Sequence, residues 1–328
     1  MLARFGWRPR IVPYPGYGSM TWVRVLARTV LSPKGGLEGP AVDTPAEARS
    51  RGVRGWRAMA TAEVAGTEVL IRAGGVETIV RSERGGYIDA VVPAAFEPGW
   101  HDVELVVDGR SVAAPVLVVH PEARAGIVSD IDDTIMITSV PRPLLAAWNT
   151  FVLHESARRP VDGMAELYRA IQQQHGADPA RCPVVYVSTG SWNSVPGHVR
   201  FASRNGYPVG PFLLTDWGPT NTGFFRSGSD HKRQSMRRVM EDFPTITWTL
   251  VGDDGQHDPS IYAEVVADRP SHVAAVAIRT LSPAQQTLSH GLPAPVTDTD
   301  RAQEKVADHD VPFVVGPDGF ALRERLRL

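Results

Sequence analysis

The chain has 328 residues, 43% hydrophobic and 21% charged. That length suggests about two domains, and the composition excludes wholesale disorder. With 34 Lys+Arg against 36 Asp+Glu, the net charge of −2 supplies no global positive field. No nucleic-acid partner is therefore expected, and any anion binding must come from local clusters. The single cysteine, Cys182, excludes an internal disulfide framework and a multi-cysteine metal site, and fits a reducing, cytoplasmic setting.

Residues 1–55 form an Arg-, Gly- and Pro-rich segment with little periodicity. Arg4, Arg8 and Arg10 are not followed by the uninterrupted apolar core of a cleaved leader. No apolar run reaches the roughly 18–20 residues of a membrane span. Thr21–Leu31 (TWVRVLARTVL) has the composition of a short amphipathic helix, which either packs on its own domain or touches a membrane surface.

From residue 56 to 121 the texture is that of short strands: Thr67–Arg72, Glu77–Arg81, Gly86–Val92, His101–Val107 and Ala114–Val119. Gly74-Gly75, Gly85-Gly86 and Pro98-Gly99 punctuate them, and Asp108-Gly109 between two apolar runs is a hairpin signal. Regular short strands separated by turns predict a small antiparallel β-sandwich.

A different texture fills residues 122–292. Apolar runs at Gly126–Val128, Pro183–Val187, Pro211–Leu214, Thr247–Val251 and Val273–Ile278 alternate with helical patterns at Gly163–Gln174, Val195–Asn205, Lys232–Asp242 and Ser260–Ala267. Buried strands alternating with helices predict an α/β domain with a parallel sheet covered on both faces. Residues 293–328 read as a C-terminal extension with one short strand, Pro312–Val315, and an Arg-rich end.

The chemistry concentrates at strand ends. In Gly126–Thr134 (GIVSDIDDT) an apolar strand runs into Asp130, followed by Asp132, Asp133 and Thr134. Three carboxylates in four residues at a buried strand end are costly unless a cation or hydrogen bonds compensate them. The plain alternative is an acidic turn or helix cap. PVVYV delivers Ser188 and Thr189, hydroxyls suited to a phosphoryl oxygen, to the same edge. TWTLV delivers Asp253 and Asp254, with His257 and Asp258 close behind, and Lys232 opens the intervening helix. His257 lacks the companion nitrogen or sulfur ligands of a zinc site. His175 and His198 fall on helices and read as surface or packing residues. There is no G-x-S-x-G, H-E-x-x-H or P-loop, so serine hydrolase, zincin and NTPase classes lack support.

The ordered series strand–DxDxT, strand–Ser, Lys, strand–GDxxxxD resembles the haloacid dehalogenase superfamily of phosphotransferases. SDIDDTIMIT, YVSTGSWN, HK and GDDGQHDPSIY narrow the resemblance to the actin-patch phosphatidate phosphatase family, related to the catalytic domain of lipins, over roughly Gly126–Leu281. The preceding β-rich segment fits bacterial members of that family. The resemblance implies a Rossmann-like sheet and a magnesium-dependent phosphatase working through an aspartyl-phosphate. Its nucleophile would be Asp130. Its general acid and base would be Asp132, which separates a phosphatase or mutase from the superfamily's ATPases. Magnesium would be held by the Asp130 and Asp253 carboxylates and the Asp132 carbonyl, with Asp258 and Asp254 behind them. Ser188, Thr189 and Thr134 would serve the phosphoryl group or its loop, and Lys232 would offset charge on nucleophile and phosphoryl group.

The intervals Ile135–Pro183 and Thr189–His231 leave no room for a large cap. An open site suits a phosphate presented on a surface, such as a lipid headgroup or a protein side chain. The loop Asp216–His231 carries Trp217, Phe224, Phe225 and Arg226, with Trp192 nearby, which either close the local core or anchor at a bilayer interface. Phosphatidate or a related phospholipid phosphate is the substrate that the resemblance implies, with peripheral membrane contact. A soluble or protein-bound phosphoester and a non-catalytic lipid-phosphate-binding scaffold are the alternatives. Arg233 and Arg237 lie four apart and share a helix face.

Overall fold

The computed structural model describes residues 7–32, 62–137, 158–215, 228–255, 257–283, 285–286 and 297–328. They form two compact units, the first drawn mainly from Met1–Pro121 and the second from Glu122–Val209 and Leu213–Leu328.

The first unit is built from β1 (Arg8–Ser19), β2 (Trp22–Ser32), β3 (Ala62–Glu63), β4 (Glu68–Ala73), β5 (Val76–Arg81), β6 (Tyr87–Pro93), β7 (Gly99–Val107) and β8 (Arg110–Val118). They make one hydrogen-bonded sheet in the order β3-β2-β1-β8-β7-β4-β5, with β6 also on β2. The two-sheet sandwich is thereby corrected to a single, mostly antiparallel sheet that is nearly a barrel. Its inner face is a period-two set: Val23, Val25 and Ala27 of β2, Val69 and Ile71 of β4, Val103 and Leu105 of β7, and Val116 and Val118 of β8.

Trp22–Ser32 is a strand, which corrects the helix expected over Thr21–Leu31. Its edges pair with β1 and β6, and its consecutive residues Val25 to Val30 are all buried, so both faces are covered along this stretch and it lacks clean alternation. Its Arg24 and Arg28 are paired with Asp89 and Glu63. Residues 7–32 thus belong to the β unit instead of preceding it. The Asp108-Gly109 hairpin forms as expected: both residues adopt positive φ, 49° and 70°, which the right-handed strand twist demands of a two-residue turn.

The second unit contains β9 (Ala125–Ser129), β10 (Met136–Ile137), β11 (Arg159–Pro160), β12 (Val184–Ser191), β13 (Phe212–Thr215), β14 (Thr247–Asp253), β15 (Val273–Arg279) and β16 (Phe313–Gly316). Its helices are α1 (Met164–Gln174), α2 (Val195–Arg204), α3 (Gly228–Asp242), α4 (Asp258–Asp268), α5 (Thr297–Ala307) and α6 (Gly319–Arg325). The main sheet runs β13-β12-β9-β14-β15-β16, and β12, β9, β14, β15 and β16 are parallel. From β9 the chain builds outward through β12 and β13, then returns beside β9 as β14 and builds the other way. Open parallel sheets bind ligands at such a reversal, beyond the carboxyl ends of the two strands.

Every residue of β9 is buried, as a strand covered on both faces must be. Gly126 is there because Trp248 of β14 crosses it: a Cβ would lie 2.4 Å from the indole. Gly126→Ala is expected to destabilise the second unit by about 1–3 kcal/mol through overpacking, read as a lower thermal midpoint. The expected C-terminal extension is also corrected. β16 completes the sheet beside β15, α5 packs on α4 and α6 packs on α1. Two helices there escaped the sequence reading, since α5 is mostly polar and α6 has only seven residues. Among the described residues no helix is long and apolar enough to cross a membrane.

Candidate active site

Asp130 leaves β9 at the reversal point, its backbone N–H donating to the Val251 carbonyl of β14 at 2.9 Å. Its side chain is 4% exposed. Lys232, in the first turns of α3, is equally buried, and its Nζ lies 2.6 Å from Asp130 Oδ1 and 2.6 Å from Asp258 Oδ1. Asp258 is the first residue of α4, and Asp253 is the last of β14. Asp253 accepts from the Gly255 N–H at 2.8 Å and from Thr134 Oγ1 at 3.2 Å. The structure thus gathers Asp130, Asp253, Asp258, Lys232 and Thr134 from three separate stretches of sequence.

The electrostatics follow from burial. Desolvation pushes the Asp130 carboxyl up to about 8, with Lys232 pulling it back and Asp258 and Asp132 pushing further. Asp253 is raised as well, by burial and then by Asp258 and Asp130. Burial works against the Lys232 ammonium, but Asp130 and Asp258 together outweigh it and hold its proton more tightly than usual.

A metal ion answers this imbalance. Carboxylate oxygens of Asp130, Asp253 and Asp258 all lie within 4.8 Å of one another. Asp258 Oδ2 is buried with no hydrogen-bond partner among the described residues, an atom that a cation would satisfy. The donor set is oxygen only, which fits a hard cation. Asp258 therefore stands in the carboxylate cluster itself.

The other expected residues are distributed around this centre. Asp132 is half-buried at the solvent side of a tight turn in which Asp133 takes a left-handed φ of 59°. Ser188 is buried near the end of β12, where its Oγ accepts from the Gly190 N–H at 3.0 Å and keeps its own proton to donate. Thr189 follows, half-buried, its carbonyl accepting from Thr215 Oγ1 at 2.6 Å. Asp254 points away from the cluster: its carboxylate accepts from the Leu281 N–H at 2.8 Å and bonds Gln286. Arg233 and Arg237 pair with Glu264 and Asp268 of α4 at 2.6 and 2.8 Å, so their shared face ties two helices together. Trp217, Phe224, Phe225 and Arg226 lie outside the described residues.

Three residues around the site escaped the sequence reading as functional candidates. Tyr168 of α1 lies behind the strand end, its hydroxyl 2.6 Å from Ser129 Oγ, which itself donates to the Asp130 carbonyl at 2.5 Å. His198 of α2 is buried, the packing alternative of its sequence reading; burial pushes its pKa down to about 4 while the field of Asp132 opposes that. Arg279 ends β15, 4% exposed. Its signal was present, a charged residue closing an apolar parallel strand, the same pattern that singled out Asp130 and Asp253.

Fold and site together define an α/β protein with a buried, cation-competent carboxylate centre at the reversal point of a parallel sheet. Residues 125–280 match the family described as Phosphatidate phosphatase APP1, catalytic domain. That segment, just under half of the chain, is similar to the APP1-type phosphatidate phosphatase catalytic domain. The Saccharomyces cerevisiae protein called Phosphatidate phosphatase APP1 is 28% identical over 158 residues, 48% of this chain and 26% of that protein. An uncharacterised Schizosaccharomyces pombe protein is 24% identical over 154 residues, 47% of this chain and 24% of its own length. The match thus spans about a quarter of each curated relative. A carbohydrate acetylesterase structure from Xanthomonas citri covers 98% of this chain and 73% of its own at 10% identity, with a TM-score of 0.35.

Proposed function

We propose that the second unit is a magnesium-dependent phosphatase of the haloacid dehalogenase type, acting on phosphatidate or a related phospholipid phosphate through an aspartyl-phosphate. The observation that carries this reading is Lys232 held between Asp130 and Asp258 beside Asp253, all buried at one sheet edge. A scaffold that only bound phosphate would not require a half-exposed carboxyl, Asp132, next to that cluster.

Asp130 attacks phosphorus in line, forming the Asp130 Oδ–P bond as the bond to the leaving alkoxide breaks. Asp132 gives its proton to that alkoxide, then takes one from the water that attacks the acyl phosphate. Inorganic phosphate leaves and the Asp130 carboxylate is restored. Two of the three Lys232 N–H groups are engaged by Asp130 and Asp258. The third, with the Ser188 hydroxyl, is directed to the phosphoryl oxygens. Thr134 holds Asp253 in place. Magnesium, held by Asp130, Asp253 and Asp258 with the Asp132 carbonyl, would screen the repulsion between carboxylate and phosphate. The lipid assignment rests on the family, and the protein would meet its substrate peripherally at a lipid surface.

The test is phosphate release from dispersed short-chain phosphatidate and from p-nitrophenyl phosphate, with magnesium or a chelator. Release from phosphatidate that the chelator stops supports the reading. Release from the aryl ester alone moves the substrate to a soluble phosphoester.

Protonation supplies a second check. Since the folded protein raises the Asp130 carboxyl from 3.8 to about 8, it holds a proton that the unfolded chain has released across that interval. This group therefore makes the metal-free protein less stable as pH rises from about 4 to about 8. Magnesium must displace that proton at low pH but not at high pH. The rise in thermal midpoint on adding magnesium is expected to be larger at pH 8 than at pH 5.5, and an equal rise at both would count against Asp130 as a ligand.

A further inference from the structure

We infer that Arg279 is a positioning residue for catalysis, which holds the nucleophile loop in register through the Asp133 carbonyl and draws its own support from the C-terminal turn after β16. This rests on the phosphatase reading, because it concerns the loop that carries Asp130 and Asp132.

The guanidinium reaches three separate segments. Its Nη1 donates to the Asp133 carbonyl at 2.5 Å, Nε to the Pro317 carbonyl at 3.2 Å, and Nη2 to Gln285 Oε1 at 3.1 Å. Gln285 is itself fixed, its Oε1 accepting from the Ser282 N–H at 3.0 Å. Pro317 is fixed from both sides: the Thr280 N–H donates to Gly316, and the Gly319 N–H to Asp162, at 2.8 and 2.9 Å. Along the sheet, Arg279 pairs in register with Asp253, and its carbonyl accepts from the Asp254 N–H at 3.0 Å.

The loop needs such an anchor. Asp130 hangs from Val251 by its N–H, and the chain then turns sharply, with the Asp133 N–H on the Met136 carbonyl at 2.8 Å. Asp133 adopts a positive φ of 59°, a left-handed conformation that costs a non-glycine residue some strain even though aspartate tolerates it better than most. The Arg279 bond to its carbonyl holds this turn from outside the loop. A planar fork with donors in fixed directions can serve three acceptors at once, whereas a lysine ammonium cannot reproduce that geometry.

Charge makes the same point. Within the second unit Asp130, Asp133, Asp253 and Asp258 are buried with Lys232 and Arg279. Counted as ionised, four carboxylates against two cations leave a formal −2, which one divalent cation would balance. Arg279 thus offsets the acids alongside Lys232, with Asp133 and Asp253 among the carboxylates in its field. Pro317 lies outside the matched segment, which ends at residue 280, so the last strand and its turn support the site from beyond the family's catalytic domain.

The test uses the full chain with Arg279→Lys and Arg279→Gln beside the wild type and Asp130→Asn. Magnesium-dependent kcat and KM would be measured on p-nitrophenyl phosphate and short-chain phosphatidate, with thermal midpoints and amide exchange over residues 130–137. Misplacing a reacting group by about 1 Å costs on the order of 10²-fold, so both variants should lose roughly 10- to 100-fold in kcat with KM within about twofold. Exchange at 131–136 should rise while the rest of the sheet stays protected. Arg279→Lys keeping kcat within about threefold, or rates falling only in step with the folded fraction, overturns the inference. An active wild type, a silent Asp130→Asn and a fully active Arg279→Lys would sink the inference alone. A wild type silent on both substrates would sink the phosphatase reading and the inference with it.

Discussion

Asp130→Asn is expected to lower magnesium-dependent phosphate release by roughly 10³-fold or more, because the amide cannot form the covalent bond to phosphorus. The same substitution should leave the metal-free protein as stable as the wild type, or more so. Asp130 is a buried carboxyl that burial and the nearby Asp258 and Asp132 push up to about 8, so ionising it in the metal-free fold is opposed by its surroundings. Asparagine fills the same volume without that charge, and Lys232 keeps Asp258 as its partner at 2.6 Å. Stability exchanged for function is a common property of catalytic carboxylates. Phosphate release and thermal unfolding in chelator, measured on the same preparation, separate the two effects. A rate within tenfold of wild type would remove Asp130 as nucleophile. A loss of rate accompanied by a large fall in midpoint would instead assign it a structural role.

The parts of the site that were legible in the sequence share one physical cause. A polar residue that terminates an apolar parallel strand has nowhere to go but the carboxyl edge of the sheet. Asp130, Ser188 and Asp253 were all found that way, and Lys232 by its order among them. The direction of a side chain beyond the strand end does not follow from that rule. Asp254 and Asp258 read alike in sequence, yet Asp254 turns to Leu281 and Gln286 while Asp258, opening a helix, faces Lys232. Arg279 obeys the same rule, but a cation at the end of the fifth run matches no element of the motif series and so is not marked as functional by it.

For the fold, the β-α alternation of the second unit is legible because buried strands and amphipathic helices differ in length and period. Trp22–Ser32 misled because a strand buried on both faces loses its alternation, and an apolar run with interspersed arginines then mimics a helix. Only long-range pairing decides such a segment: Arg24 and Arg28 meet Asp89 and Glu63, 65 and 35 residues away. The curling of the first unit into one sheet is equally non-local, since it depends on β1 lying parallel to β8 near the far end of that unit.

Lys232→Met is expected to be the most damaging single change to the metal-free fold. The ammonium bridges two carboxylates that are otherwise buried against Asp253, and a methionine of similar length leaves Asp130 and Asp258 facing each other without a counter-charge. Removing one member of a buried ion pair costs about 3–5 kcal/mol, since the remaining charge stays desolvated. For a unit of this size that corresponds to a fall of roughly 6–20 °C in thermal midpoint. The loss should be smaller at pH 5.5 than at pH 8, because the carboxyl raised to about 8 is protonated at the lower pH and no longer needs the ammonium. It should also shrink when Asp130→Asn is combined with Lys232→Met, because the double variant buries one charge fewer than the single. Additive effects of the two substitutions, measured by chemical denaturation in chelator, would show that the bridge carries no coupling. Sub-additive effects would place the ammonium where the chemistry needs it, as the fixed positive charge that keeps the nucleophile ionised when a phosphoryl group arrives.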